Sequence, residues 1–335
     1  MKLAILALAP AFVMAQAPPD AEIRAILAER IDTLHRGVGI AVAVIDANGA
    51  RSFINHGSLA VNNPRAVASD TVFEIGSITK VFTSLVLSDM VQRGEVKLDD
   101  PVSKYLPPDV KVPERGGKKI KLLDLATHTS ALPRMPTNFA PKDKENPYAD
   151  YGVDRLYAFL TGYERTREIG AQYEYSNLAV GLLGTALARR AGTSYEAMVR
   201  SRILAPLKMD STAITLTPAM KARLAIGHND TRQPVANWDL DALAGAGALR
   251  SDAADMLTFV AANLGFVQSP LAGAMAAMTK TRRPGPNSSI EIALAWHITH
   301  RGEREIIWHN GAPADTAPGS ASTPRRAWAR WRFRT

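Results

Sequence analysis

The hydrophobic and polar positions of residues 20–54 change from helical to strand-like spacing. Apolar side chains recur every three or four positions over residues 20–34, which predicts an amphipathic helix. Residues 38–45 form an apolar run rich in β-branched residues, and the turn Asp46–Gly49 separates this run from residues 51–54. This order predicts one helix followed by a β-hairpin.

Helical spacing then dominates the middle of the chain. It predicts helices over residues 77–93, 122–126, 153–160, 178–191, 195–204 and 253–264. Gly94 and Gly192 are placed to end two of these helices, and Ser251 is placed to cap the last one. The small residues Gly245–Ala248 are expected to break the helical pattern.

Strand-like patterns return near the end of the chain, over residues 290–299 and 305–309. Strands at both ends with helices between them predict an α/β (α+β) fold in which a discontinuous domain carries an all-helical insertion. We assign residues 16–80 together with 245–311 to the α/β domain. Residues 81–244 form the mainly helical domain in this interpretation.

The first 15 residues have the pattern of a secretory signal peptide. Lys2 precedes the apolar run Leu3–Val13, and small residues at positions 13 and 15 suit cleavage before Gln16. The run is shorter than the roughly 20 residues that a membrane-spanning helix needs. We therefore expect an exported protein, periplasmic or secreted, without a stable membrane span. The alternative is a buried N-terminal helix.

Composition and charge exclude several classes of site. The 335 residues contain no cysteine, so disulfides, thiolate metal sites and a cysteine nucleophile are excluded. The formal net charge is +8, but six positive charges lie at the two ends of the chain: Lys2, Arg325, Arg326, Arg330, Arg332 and Arg334. Without those six the net charge falls to +2, which is too small for a nucleic-acid footprint. We expect no nucleic-acid partner.

Ser77 and Lys80 stand three residues apart at the start of a predicted helix. Positions with this spacing share one helix face, so Ser77 Oγ and Lys80 Nζ can meet. A serine at a helix start lies near free backbone N–H groups, which favour a developing oxyanion. A lysine among apolar neighbours loses basicity and can accept the serine proton. The alternative is a capping serine beside a solvated lysine.

Two further motifs offer groups that suit acyl transfer. Tyr175 could relay protons if it lies near a lysine, and Asn177 can donate to and accept from an amide-bearing substrate. The alternative is a surface tyrosine with a helix-capping asparagine.

His309 and Gly311 end the last predicted strand. The histidine could donate to a substrate carboxylate or move a proton, and the glycine could let a substrate lie against the strand edge.

These motifs occur in the order Ser-x-x-Lys, Tyr-Ser-Asn and His-x-Gly. In this order they resemble the motifs of the serine β-lactamase and penicillin-binding protein superfamily, and most of all its class C β-lactamase and D-alanyl-D-alanine carboxypeptidase branch. The resemblance covers about residues 20–311 and includes the blocks 73–77, 94–102, 125–130 and 245–247. It implies a β-lactamase/transpeptidase-like fold, with an antiparallel sheet flanked by helices and an inserted helical domain.

The resemblance implies an exported serine hydrolase that acts through an acyl-enzyme. Ser77 would be the acylated nucleophile. Lys80 and Tyr175 would share the deprotonation of this serine and the protonation of the leaving group. The N–H groups of Ser77 and Ala312 would form the oxyanion hole. No metal or organic cofactor would be needed, and we expect a monomer.

The same resemblance implies which residues contact the substrate. Asn177 would hold a side-chain amide of the substrate, and His309 with Gly311 and Ala312 would line its binding edge. The expected reaction is β-lactam hydrolysis on a small-molecule substrate. The alternatives are a D-alanyl-D-alanine carboxypeptidase acting on a peptidoglycan peptide, a carboxylesterase of the same fold, and an inactive truncated remnant. The first two reactions differ in the rate of deacylation, which depends on the placement of one water.

Residues 312–335 depart from the family pattern, which continues with two strands and a long helix. Residues 312–335 follow neither a helical nor a strand period, so we expect an aberrant, unstructured tail without the two strands and the helix. Back-translation of residues 311–324, read one base earlier, permits Gly-Thr-Gly-Gly-Tyr-Arg-Ser-Trp-Leu-Gly-Phe-Asp-Pro, which resembles the family far better. We hypothesise a shifted reading frame and expect the chain as written to be poorly stable. The alternative is a genuine divergent tail.

Overall fold

Two groups of strands flank a helical middle region in the structure, a computed structural model that describes residues 19–229, 231–302, 304–311 and 327–333. Its helices are α1 (Asp20–Ala28), α2 (Thr79–Gln92), α3 (Leu122–Ala126), α4 (Val153–Gly162), α5 (Asn177–Ala191), α6 (Tyr195–Val199), α7 (Ala205–Leu207), α8 (Pro218–Lys221), α9 (Ala244–Gly247), α10 (Ala253–Asn263) and α11 (Ala272–Ala277). Its strands are β1 (Gly39–Ile45), β2 (Arg51–Ala60), β3 (Asn63–Ala66), β4 (Phe73–Glu74), β5 (Gly227–His228), β6 (Pro234–Val235), β7 (Arg250–Ser251), β8 (Arg283–Pro284), β9 (Ile290–Ile292), β10 (His297–Arg301), β11 (Arg304–Gly311) and β12 (Ala327–Phe333).

The predicted N-terminal hairpin forms the first sheet. Strands β1 and β2 pair antiparallel from Gly39 opposite Gly57 to Ile45 opposite Arg51. Strand β2 continues well beyond the predicted residues 51–54, because it also pairs with β3 through a bulge. The order of this sheet is β1-β2-β3, so β1 forms one of its edges.

The second sheet has the order β12-β11-β10-β9-β8. The prediction of one strand over residues 290–299 is wrong in detail, because β9 and β10 are separate antiparallel strands. They are joined by a tight turn in which Ala293 N donates to Trp296 O at 2.8 Å and Ala295 has a φ of +63°. Residues 292–296 are all apolar, so the sequence pattern did not indicate a turn between the two strands.

The expectation that the whole tail after residue 311 is unstructured is wrong for residues 327–333. This segment forms β12, which pairs antiparallel with β11 from Ala327 opposite Gly311 to Phe333 opposite Glu305. The free edge of a strand offers a row of backbone N–H and C=O groups, and any extended segment can pair with them without a particular side-chain pattern. Residues 312–326 and 334–335 lie outside the described residues, as does the predicted signal peptide.

Most predicted helices are present, with corrections at their ends. A single 3₁₀ turn, Gly76–Ile78, precedes α2. The N-cap of α10 is Asp252 rather than the predicted Ser251, because the Asp252 carboxylate accepts the Asp255 N–H at 2.8 Å. Where a break was predicted around Gly245, the short helix α9 forms. No helix within the described ranges combines the length and apolar character needed to cross a membrane.

Helix α2 lies at the centre of the core. Every residue from Thr79 to Met90 is buried, so the helix is enclosed on all sides. Helices α5 and α9 pack beside it at close range, because both carry glycines where they meet. A Cβ atom at Gly245 would come within 3.1 Å of the Gly184 Cα atom. The small residues around position 245 therefore serve close helix packing and bring the backbone of α9 next to α2.

Candidate active site

Ser77 and Lys80 meet at the start of α2, as their spacing predicts. Lys80 is fully buried, and its Nζ donates to Ser77 Oγ at 2.8 Å and to the Ala246 carbonyl at 2.7 Å. The alternative of a solvated lysine is therefore wrong. The second hydrogen bond comes from α9 and fixes the amine against the serine.

Two glycines shape the turn that carries Ser77. Gly76 has a φ of +49°, a conformation that glycine adopts without strain. Gly311, at the end of β11, lies against the same turn, and a Cβ atom at this position would collide with the Ile75 carbonyl oxygen. The lack of a side chain at Gly311 therefore lets the strand pack on the turn before Ser77.

Tyr175 lies beside the amine of Lys80. The Lys80 Nζ atom is 4.9 Å from the centroid of the Tyr175 ring. The ring also contacts the imidazole of His128, at 4.5 Å between centroids, and the Arg134 guanidinium, whose Cζ is 5.2 Å from the centroid. The serine, the lysine and the tyrosine of the three sequence motifs thus form one group.

Ser176 and Asn177 begin helix α5. The cap is Ser176 rather than the asparagine, because Ser176 Oγ accepts the Ala179 N–H at 2.9 Å. Asn177 is the first helical residue and is only 7% exposed, and its Nδ2 contacts Met135 Sδ at 3.8 Å. Tyr175 therefore stands directly before the capping residue Ser176, at the start of helix α5.

His309 is fully buried at the end of β11, with its ring centroid 6.5 Å from that of Tyr175. Burial, followed by the neighbouring His297 and Lys80, lowers its pKa well below the usual range. His309 Nδ1 lies 2.6 Å from the Asn310 carbonyl, which can only accept, so Nδ1 carries the proton. The ring is therefore neutral at pH 7 and presents Nε2 as an acceptor, which argues against the expected donation to a substrate carboxylate.

Sequence patterns did not single out three aromatic neighbours of this group: Tyr173, His128 and His297. The Tyr173 hydroxyl lies 3.2 Å from His297 Nε2, and the His297 ring is 5.3 Å from that of His309. His128 Nδ1 accepts the Ser176 N–H at 3.1 Å. His128 lay in a block quoted for the family resemblance, but nothing in the spacing of the other two residues marked them. Ala312, the expected second oxyanion donor, lies outside the described residues.

One group of side chains in the described part of the chain, outside these motifs, is arranged like the ligands of a metal ion. Glu291, His300 and Glu305 bring their ligand atoms within 4.8 Å of one another. Arg282 already lies among them, donating to Glu305 at 2.5 Å and to Glu291 at 3.2 Å. Because the guanidinium pairs with both carboxylates, this cluster is an ion-pair network on the sheet surface.

The fold is shared with serine β-lactamases and D-alanine carboxypeptidases. The solved β-lactamase/D-alanine carboxypeptidase of Yersinia pestis superposes with a TM-score of 0.75 and 29% identity, covering 88% of this chain and 86% of that chain. The class C β-lactamase of Rhodobacter sphaeroides gives a TM-score of 0.73 and 26% identity, covering 86% of this chain and 87% of its own.

The chain belongs to the β-lactamase family, because the family model described as Beta-lactamase matches residues 23–325. The D-alanyl-D-alanine-carboxypeptidase/endopeptidase AmpH of Escherichia coli is 35% identical over 223 residues, 66% of this chain and 56% of that protein. A β-lactamase of the same organism is 31% identical over 227 residues, 68% of this chain and 56% of that protein. The chain thus spans little more than half the length of these relatives.

Proposed function

We propose that this protein is a serine hydrolase of the β-lactamase family with Ser77 as its nucleophile. The observation that carries the proposal is the 2.8 Å contact between Ser77 Oγ and the buried Lys80 Nζ, with the Tyr175 ring beside the amine. A serine hydroxyl is a weak nucleophile unless a base accepts its proton. The Lys80 amine, held 2.8 Å from the Ser77 hydroxyl, is placed to exchange this proton.

The proposed reaction proceeds in two halves. Ser77 Oγ attacks the substrate carbonyl carbon while its proton passes to Lys80 or Tyr175, and the same proton is delivered to the leaving group as the acyl bond breaks. Water then attacks the carbonyl carbon of the acyl-enzyme and gives a proton to the same pair, which returns a proton to Ser77 Oγ as the bond from Ser77 Oγ to the acyl group breaks. The backbone N–H of Ser77 and, as a second donor, that of Ala312 would stabilise the oxyanion. We propose that Asn177 and His309 contact the substrate.

We propose β-lactams as the main substrates, with D-alanyl peptides as the second candidate. The relatives named β-lactamase and the carboxypeptidase/endopeptidase AmpH support both, because they match about two thirds of this chain. Export to the periplasm or beyond, and action as a monomer, complete the proposal. The amino-terminal pattern of the sequence supports export.

A fluorescent penicillin separates the candidates. Rapid turnover without trapped label indicates a β-lactamase, and a stable adduct on Ser77 indicates a slowly deacylating peptidase. Substituting Ser77→Ala should abolish both results, whereas Ser84→Ala, a buried serine on the same helix, should leave them intact. Absence of both turnover and adduct in a chain that unfolds cooperatively would contradict the proposal for β-lactams and D-alanyl peptides, leaving an esterase or an inactive remnant.

A further inference from the structure

A groove is lined by the turn before helix α3, by the start of that helix and by strand β8. Its lining does not include Ser77, Lys80 or Tyr175. The groove has a volume of about 530 Å³, which is within the range of sites for small organic molecules. Four basic and two acidic side chains line it: Lys118, Lys119, Lys121, Arg283, Asp99 and Asp124. The excess of basic groups favours an acidic ligand.

Arg283 stands in the wall of this groove without a hydrogen-bond acceptor for its side chain among the described residues. The side chain is 33% exposed, but its Nε atom is buried. Its contact with an acid is long, because Nη2 lies 4.0 Å from Asp124 Oδ1. The other oxygen of that carboxylate, Oδ2, accepts the Lys121 backbone N–H at 2.9 Å. A partly buried guanidinium without acceptors costs free energy, which a bound oxyanion would recover.

Lys118 adds a positive charge that the acids of the groove do not neutralise. It is exposed, and its ammonium has no ion pair with a described residue. The two other lysines have partners. Lys121 Nζ lies 2.7 Å from Asp99 Oδ1, and Lys119 Nζ lies 3.6 Å from Glu114 Oε1. Lys118 can therefore pair with a ligand without giving up a contact within the described chain.

Two glycines leave space in the groove. At Gly117 and Gly170 an added Cβ atom would meet no atom within 4 Å, and both have a positive φ, +72° and +77°. The backbone at the second position is fixed, because the Gly170 N–H donates to the Thr129 carbonyl at 2.8 Å. A fixed backbone beside open space lowers the cost of ordering the site when a ligand binds.

We infer that this groove is a second ligand site, which binds a small organic molecule carrying two oxyanion groups. One oxyanion pairs with the terminal nitrogens of Arg283, whose planar fork matches two oxygens, and the other pairs with the Lys118 ammonium. Phosphate esters and polycarboxylates share this chemistry, whereas a neutral molecule of similar size lacks it. The inference does not depend on the proposed hydrolysis, because the groove has its own residues.

Titration calorimetry with fructose bisphosphate and with tricarballylate tests this inference, and fructose is the neutral control. We expect both anions to bind and fructose not to bind, and the tighter anion shows whether phosphate or carboxylate is preferred. The affinity for the anions should fall at least tenfold in Arg283→Met and at least threefold in Lys118→Met. Arg51→Met and Lys111→Met change exposed residues outside the groove and should stay within twofold. Added salt should weaken the binding.

Absence of binding by both anions would overturn the inference. Equal losses in the groove variants and the control variants would show general attraction to a basic surface, and would overturn it as well. Ser77→Ala should bind the anions like the unchanged chain, whether or not the proposed hydrolysis is found, and a loss in this variant would place the anions at Ser77 instead. If Arg283→Met does not fold, unchanged affinity in Lys118→Met, at an exposed turn, would contradict the inference.

Discussion

The amine of Lys80 joins two elements through its hydrogen bonds to Ser77 Oγ and the Ala246 carbonyl. Substituting Lys80→Met keeps a buried chain of similar length and removes the proposed base. We expect acylation of Ser77 by a labelled penicillin to slow by about 10² to 10⁴, the usual contribution of a positioned base. Lys104→Met, at an exposed lysine paired with Asp100, is the control. A rate for Lys80→Met within threefold of the unchanged chain would contradict the role of this amine.

The ring of His297 gives a stability prediction with a definite sign. Burial, and then the charge of Lys80, lowers its pKa to about 4. Between pH 6.5 and about 4 the unfolded chain therefore binds a proton that the folded chain does not, so this ring makes the fold less stable as the pH falls. The loss amounts to on the order of 3 kcal/mol across that window.

We expect His297→Gln to remove this acid sensitivity. Relative to the unchanged chain, the free energy of unfolding of the variant should rise by on the order of 3 kcal/mol from pH 7 to pH 4, measured by urea unfolding. Asp255, whose pKa is raised to about 6 chiefly by burial, acts in the opposite direction. It is present in both chains, so its contribution cancels. A stability difference that is constant with pH would show that the ring is not held neutral.

At the scale of elements, Ser176 links helix α5 to the loop that carries Arg134. Its buried hydroxyl accepts the Ala179 N–H and donates to the Pro133 carbonyl. Ser176→Ala should cost about 2 to 3 kcal/mol, because it removes a cap and leaves a buried carbonyl unpaired. Ser194→Ala removes the exposed cap of α6 and should cost about 0.5 to 1 kcal/mol. Equal shifts of the two denaturation midpoints would rule out the linking role.

Gly311 connects the second sheet to the turn before Ser77. In Gly311→Ala, the added methyl group would meet the Ile75 carbonyl, so either the turn or β11 must move. We expect a loss of about 1 to 3 kcal/mol of stability together with slower acylation of Ser77. Gly162→Ala, at a helix end with open space around it, should be neutral or slightly stabilising. Normal acylation by Gly311→Ala would show that the turn tolerates this displacement.

At the scale of the whole molecule, the first sheet has an open side. Strand β1 is the edge of its sheet within the described ranges, and Ile26 and Leu34 are 53% and 46% exposed in the segment before it. Exposed edges and apolar surface reduce solubility and stability. We therefore expect the chain as written to unfold at a lower temperature than a chain with the reading frame restored after residue 311. Equal calorimetric midpoints, or a gene sequence that permits no such frame, would end the hypothesis.

The elements that could be predicted from sequence are those defined by local spacing. Helix α3 spans the predicted residues 122–126, and α5 begins one residue before its predicted start. The errors lie where distant segments decide the outcome. Strand β2 is long because β1 and β3 pair with it, and β12 exists because β11 offers an edge.

The sequence alone determined which side chains are neighbours along one helix, and the order of motifs that marks the family. Ser77 and Lys80 meet because a helical turn brings residues three apart to one face, whatever the rest of the chain does. The tertiary structure decided the remainder: the burial of Lys80, its bond to Ala246, and the arrival of Arg134 beside Tyr175. These contacts join segments far apart in the chain, and they depend on how closely helices and strands pack rather than on any spacing along the sequence.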